Sequence, residues 1–159
     1  MKTLATVVVS TAILCCVSPP AYAQEILSTS GAQVKGVPIT DEAVGSQYGH
    51  MVLTKTSTDP QYGRSPDSPV RVGGGFPRGA HHTYRYLNSL LGPNGEKVHY
   101  TRVGTCCPFK TPNSPFGDTA LLEVYEVTYE GAAKPQRLYF NWYDPGEALI
   151  PKGLTAVKD

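Results

Sequence analysis

This sequence predicts an α+β fold, a small antiparallel sheet with one main helix packed on it. Three observations carry that expectation. Residues 79–91 place apolar side chains at helical spacing and stop at Gly92-Pro93. Residues 121–129 and 136–143 are dense in Val, Tyr, Thr, Phe and Trp, with a short turn between them. Gly 16 and Pro 14 in 159 residues supply the turns that short strands need.

In chain order, residues 1–23 read as a secretory signal peptide. Lys2 supplies the charge, residues 4–17 an apolar run, and Ala21-Tyr22-Ala23 a small-x-small cleavage site before Gln24. The run is 14 residues, short of the ~20 that a spanning helix needs. No other run is long enough to span, so no transmembrane segment is expected after cleavage. Cys15 and Cys16 raise lipid attachment, as in a bacterial lipoprotein. Leu14 precedes Cys15 where such sites carry a small residue, so cleavage after Ala23 is the stronger reading. The expected location is therefore outside the cytoplasm, periplasmic or extracellular.

Residues 24–47 mix Ser, Thr, Gly and acidic residues and read as a flexible N-terminal segment or short edge strand. Residues 48–159 form the single α+β domain. His50-Met51-Val52-Leu53 is a short strand candidate, and Pro69-Val70-Arg71-Val72 leads as a strand into Gly73-Gly74-Gly75. In the 79–91 helix, Tyr84, Leu87 and Leu91 share a face, with Leu90 beside them. Pro93-Asn94-Gly95-Glu96 is a turn. Val98, Tyr100 and Arg102 then alternate with Lys97, His99 and Thr101, the period of a half-exposed strand. Residues 104–118 hold three prolines and two cysteines and read as a long loop. On the last strand, Leu138, Phe140 and Trp142 face one way, toward the helix. Tyr139, Asn141 and Tyr143 face the other.

At this point the chain resembles a family of small exported bacterial proteins of uncharacterised activity. The residues that carry the resemblance are Val72-Gly73-Gly74, Arg85-Tyr86-Leu87-Asn88, Gly92-Pro93-Asn94-Gly95-Glu96 and Gly104-Thr105-Cys106-Cys107-Pro108-Phe109. Tyr125-Glu126-Val127-Thr128-Tyr129-Glu130-Gly131, Leu138-Tyr139-Phe140-Asn141 and Tyr143-Asp144 continue it, in one order, across residues 72–153. The resemblance implies a shared fold and compartment. Some relatives carry the label 2-dehydro-3-deoxyphosphooctonate aldolase. That enzyme resembles a (β/α)₈ barrel, which needs ~200 residues or more. Removal of the first 23 of 159 residues leaves 136, too few to close one.

Cys106-Cys107 is the most unusual feature. After signal removal these are the only cysteines, so a bridge within one chain can only be vicinal. Oxidising surroundings favour a bridge. Neighbouring Cα atoms lie about 3.8 Å apart across a trans peptide, closer than the ~4.4 Å minimum of ordinary disulfides. Four readings stay open: a vicinal disulfide shaping the loop, two free thiols, a thiol switch or soft-metal site, and a nucleophilic cysteine. The last needs a base, for which His81, His82 and His99 are the candidates. The disulfide candidate is Cys106 with Cys107, in a structural more than a catalytic role.

The other motifs are weaker. Phe76-Pro77-Arg78 stands where a phosphate loop needs Lys followed by Ser or Thr. His81, His82 and His99 match no closed zinc signature, so neither metal nor cofactor is expected. Arg78 and Arg85, seven apart, could share an anion or pair with acids. Glu126 and Glu130 share a strand face opposite Glu123, and all three read as solvent-facing. Tyr125, Tyr129, Tyr139, Asn141 and Tyr143 form a possible binding surface, because aromatic rings with polar handles suit ligands.

With Lys2 removed, 13 basic residues face 13 acidic ones, which argues against nucleic acid as a partner. No complete catalytic constellation stands out. The reading is an exported, non-catalytic binding or envelope-associated module, its partner a small ligand or an envelope protein. A small enzyme or redox protein using the Cys106-Cys107 segment is the alternative, and the aldolase is the weakest reading.

Overall fold

The computed structural model describes residues 40–158 and the strand backbone at 33–34 and 37–38. The expected signal peptide over 1–23 and half of the 24–47 segment lie outside the described residues. β1 (Gln33–Val34) and β2 (Val37–Pro38) pair antiparallel. α1 (Asp41–Gly45) follows and runs into a 3₁₀ turn, Ser46–Tyr48. The Thr40 hydroxyl accepts from the Ala43 N–H at 3.1 Å, a side-chain N-cap. Asp41 and Glu42 occupy the first turn, where the helix dipole favours anions.

The expected flexible segment is thus corrected at its C-terminal end. Asp41 accepts from the Arg102 backbone N–H at 2.8 Å. Glu42 pairs with Lys97 at 2.6 Å and with His99 at 3.0 Å. Composition read this stretch as a flexible segment or short edge strand. The partners of these acids lie some sixty residues downstream, which no local pattern reveals.

The α+β class holds. The main sheet has four strands in the order β3 (Val70–Arg71), β7 (Gln136–Asn141), β6 (Thr119–Tyr129), β5 (Val98–Lys110). β5, β6 and β7 pair antiparallel, and β3 joins β7 in parallel. The His50-Met51-Val52-Leu53 candidate forms no strand of either ladder, but Met51 N–H donates to Arg85 O at 3.2 Å.

The main helix, α2, spans Gly75–Ser89, with Phe76 outside helical geometry. It ends two residues before the expected 91. Leu90 is already extended, and Leu90–Leu91 form β4, which pairs antiparallel with β8 (Thr155–Ala156). The helix end is tied down from afar. Ser89 Oγ accepts from the Met51 N–H at 2.7 Å and shares its proton between Met51 O and Arg85 O. Ser89 O accepts from Val157 N–H at 2.9 Å. A ladder with the C-terminal segment therefore replaces a last helical turn.

α2 packs on the sheet face that carries Val98, Tyr100, Tyr125, Val127, Leu138 and Phe140, all buried. Tyr86 and Tyr125 both meet Phe140 edge-on, at 5.5 and 5.6 Å between centroids. Buried hydroxyls find acceptors: Tyr86 donates to Leu149 O at 2.6 Å, and Tyr100 to Asn88 Oδ1 at 2.7 Å. Leu138 and Phe140 thus occupy the predicted face. Trp142 lies just past β7, is half-buried, and packs against the helix at Gly79. A Cβ at Gly79 would sit 2.5 Å from Trp142 Cβ, so only glycine permits this contact.

Candidate functional site

The second half of β5 builds the site. Residues 104–110, expected as loop, continue the strand and pair with β6 as far as Lys110↔Thr119. The loop proper is 111–118. The prolines and the Cys-Cys pair masked this, and two features reconcile them with a ladder. β5 is an edge strand, where a missing N–H at Pro108 costs little. Register shifts between Arg102 and Gly104 and between Cys106 and Pro108 leave Val103 and Cys107 as bulged residues.

Cys107 takes φ 58°, the only non-glycine residue with positive φ among those described. That region is costly for most L-residues. Cys106 and Cys107 are disulfide-bonded, with Cα atoms 3.7 Å apart, the spacing of a trans peptide. Both are half-buried. The bond closes a small ring around the unusual backbone angle, inside a strand and not in a loop.

The loop 111–118 folds back over the end of β7. Asp144 is its anchor: Thr111 Oγ1 donates to Oδ1 at 2.5 Å and Asn113 Nδ2 to the same oxygen at 2.9 Å. Asn141 Nδ2 donates to Oδ2 at 2.9 Å, and Asn141 Oδ1 accepts from the Tyr143 and Asp144 N–H groups at 3.0 Å each. Burial raises the Asp144 carboxyl, but donors from Thr111, Asn141 and Asn113 together hold it below the ordinary carboxylate value.

Between this loop, the bulged strand and Trp142 lies a cleft of about 270 Å³, lined by Thr105, Ser114, Phe116, Leu121, Trp142 and Tyr143. Phe116 is 86% exposed and Leu121 43%, unusual for large apolar side chains. Trp142 and Tyr143 meet edge-on at 5.7 Å, and Phe109 meets Tyr143 at 6.2 Å. Thr105 immediately precedes the disulfide, and Leu121 pairs with Pro108 just after it. The disulfide therefore adjoins the wall of the cleft in the chain, although neither cysteine lines it.

Behind that wall is Glu123, cross-strand partner of both Thr105 and Phe140. It was read as solvent-facing but is only 4% exposed. Arg102 Nε donates to its Oε1 at 3.0 Å. Burial raises the Glu123 carboxyl, and Arg102 opposes the rise without cancelling it. Glu123 Oε2 and Trp142 Nε1 are the buried side-chain polar atoms without a partner among the described residues.

The five residues of the expected binding surface do not converge. Asn141 and Tyr143 meet at the Asp144 anchor. Tyr125 is buried in the core beside Tyr84, Tyr100 and Phe140. Tyr129 lies at the far end of β6, opposite Val98. Tyr139 is on the opposite sheet face, where its N–H donates to Gly63 O at 2.7 Å.

The other candidates are engaged elsewhere. His81 stacks on Tyr48 at 4.4 Å. His82 Nδ1 lies 3.0 Å from Val72 O, and His99 pairs with Glu42. Arg85 donates to His50 O at 3.1 Å, and Glu126 pairs with Arg137. Sequence reasoning missed Phe116, Leu121, Thr105 and Asp144. Phe116 had one legible signal, a large apolar residue in a Pro- and Gly-rich polar turn. No family model, no curated protein and no solved structure matches the chain.

Proposed function

We propose that this chain is an exported, non-catalytic binding module whose cleft takes a small, ring-bearing ligand. The cleft beside the disulfide carries the reading. A site with mostly apolar and aromatic lining and a few polar groups is the usual form of a small-ligand pocket. At about 270 Å³ it matches a single ring. The pattern over residues 1–23 and the family resemblance support export. The open four-stranded sheet gives no support to a barrel aldolase.

Benzyl alcohol is a suitable probe, followed by amide and indole NMR shifts. Saturable shifts confined to Thr105, Ser114, Leu121, Trp142 and Tyr143 are expected. Shifts scattered over the surface, or none, would refute the binding role. The half-exposure of Cys106 and Cys107 favours a second reading, a thiol–disulfide exchange protein. There, a dithiol reductant would pass two electrons and two protons to the bridge, leaving two thiols and an oxidised reductant. Turnover of dihydrolipoamide with an added disulfide acceptor would establish that role.

A further inference from the structure

The ligand class can be narrowed, on the assumption that the cleft binds a ring at all. The cleft joins two kinds of surface. One is apolar: Trp142, Leu121 and the exposed Phe116. The other is a hydrogen-bonding rim supplied by the same loop and the residues after Tyr143. Asn113 and Asp144, the chain neighbours of the lining residues Ser114 and Tyr143, are bonded at 2.9 Å, with Asn113 exposed and Asp144 half-buried. Thr105 and Ser114 add hydroxyls within the cleft itself.

The rim is fixed in place. Thr111, Asn113 and Asn141 all donate to Asp144, so its carboxylate cannot swing away. A carboxylate accepts about four hydrogen bonds, and three are spent within the protein. Asn113 has an amide oxygen for which no donor is recorded among the described residues. Trp142 Nε1 is a buried donor without a partner among the described residues, on a side chain that lines the cleft.

A purely apolar ring would use the first surface and leave the rim idle. An anionic ligand would meet the Asp144 carboxylate and find no free partner in Lys110, which is paired with Asp118. A ring with apolar faces and a polar circumference satisfies both surfaces. Its C–H faces lie on the aromatic side chains, and its hydroxyls both donate and accept at the rim. We propose that the cleft binds a neutral pyranose ring, stacked on Trp142 and Phe116 with its hydroxyls at Asn113 and Asp144.

Trp142 is the only tryptophan, so its fluorescence reads the cleft directly. The full chain after signal removal is titrated with methyl pyranosides of the gluco, galacto and manno series. Tetrahydropyran, the same ring without hydroxyls, is the control. At least one pyranoside should give a saturable emission change and bind at least tenfold more tightly than tetrahydropyran. Phe116→Ala, at an exposed side chain, should weaken that binding at least fivefold with an unchanged melting temperature, and Asn113→Ala, which also removes one donor to Asp144, should weaken it at least fivefold.

Equal binding of tetrahydropyran would overturn hydroxyl recognition and leave a ring-binding cleft standing. Benzyl alcohol mapping to the cleft with no pyranoside binding would likewise overturn the sugar assignment alone. If no probe of either kind reaches the cleft, the binding role itself falls. Pyranoside binding unaffected by either variant would place the sugar elsewhere and overturn the assignment.

Discussion

From Val98 to Arg102, β5 pairs with β6 in unbroken register, and its inward side chains meet the buried core. From Gly104 to Lys110 the same two strands pair around bulges, carry a disulfide, and end at a loop with an exposed phenylalanine. The first half behaves as scaffold: Tyr100, Tyr125 and Phe140 are packed ring to ring, with few polar atoms to satisfy. The second half uses the same ladder to place a cleft at a fixed distance from that core. The bulges make the difference. Each adds a residue without a partner, bends the strand, and changes which side chains face the cleft.

The sharpest test of this division is Phe140→Ala. The ring is fully buried among Tyr86, Tyr125 and Val70. Urea unfolding should show a loss of about 3–5 kcal/mol. A loss near zero would mean that the regular half does not carry the stability.

Gly79→Ala probes the junction of the halves. Alanine gains about 1 kcal/mol as a helix former. Its Cβ would also lie 2.5 Å from Trp142 Cβ. Overpacking of this kind costs about 1–3 kcal/mol, so a net destabilisation is expected, with a change in Trp142 emission. Stabilisation with unchanged emission would show that helix and indole are not in register here.

Glu123 connects the halves and should give a pH signature. Its folded carboxyl is raised by burial, against the pull of Arg102. The native state therefore holds this proton more tightly than the unfolded chain. Its contribution to stability is fullest at low pH and declines as pH rises from the ordinary value, about 4.3, toward the raised folded value. Glu42 and Asp144 act in the opposite sense. Burial raises each, but Lys97 and His99 around Glu42, and the three donors around Asp144, hold them lower. Their contributions are lost as pH falls through their folded values. Unfolding midpoints for Glu123→Gln and the native chain should converge in acid and separate above about pH 5 in favour of the variant. Parallel curves would show that Glu123 does not titrate differently in the two states.

Reduction of Cys106–Cys107 should have the smallest effect on stability. A vicinal bridge closes almost no chain, so a change on the order of 1 kcal/mol or less is expected. The consequence should be local: NMR shifts at Thr105, Leu121 and Trp142 on adding dithiothreitol, with the amides of Val98 and Tyr100 unmoved. Alkylation before reduction tests the premise, since two freely modified thiols would remove the bridge. Melting of the whole ladder on reduction would erase the distinction between the halves.

Period and turn chemistry are local, and they made the class legible. Val98, Tyr100, Leu138 and Phe140 could be placed by alternation alone, and Gly92-Pro93 marked a boundary near the helix end. Pairing partners are not local. Whether a strand is central or at an edge decides whether Pro108 may lie in it, and only the sheet order states that β5 is an edge. Whether Leu90 and Leu91 continue a helix or start a ladder depends on Thr155 and Ala156, more than sixty residues on. Glu123 alternates in phase with Tyr125 and Val127, which was readable. Its burial was not, because a carboxylate enters a core only where another strand brings a partner such as Arg102. The sequence by itself determined the α+β class and the inward residues of the regular strands, because side-chain alternation follows from backbone geometry. The tertiary structure decided the strand through Cys106 and Cys107, the Asp144 anchor and the cleft between them, because each depends on segments that only folding brings together.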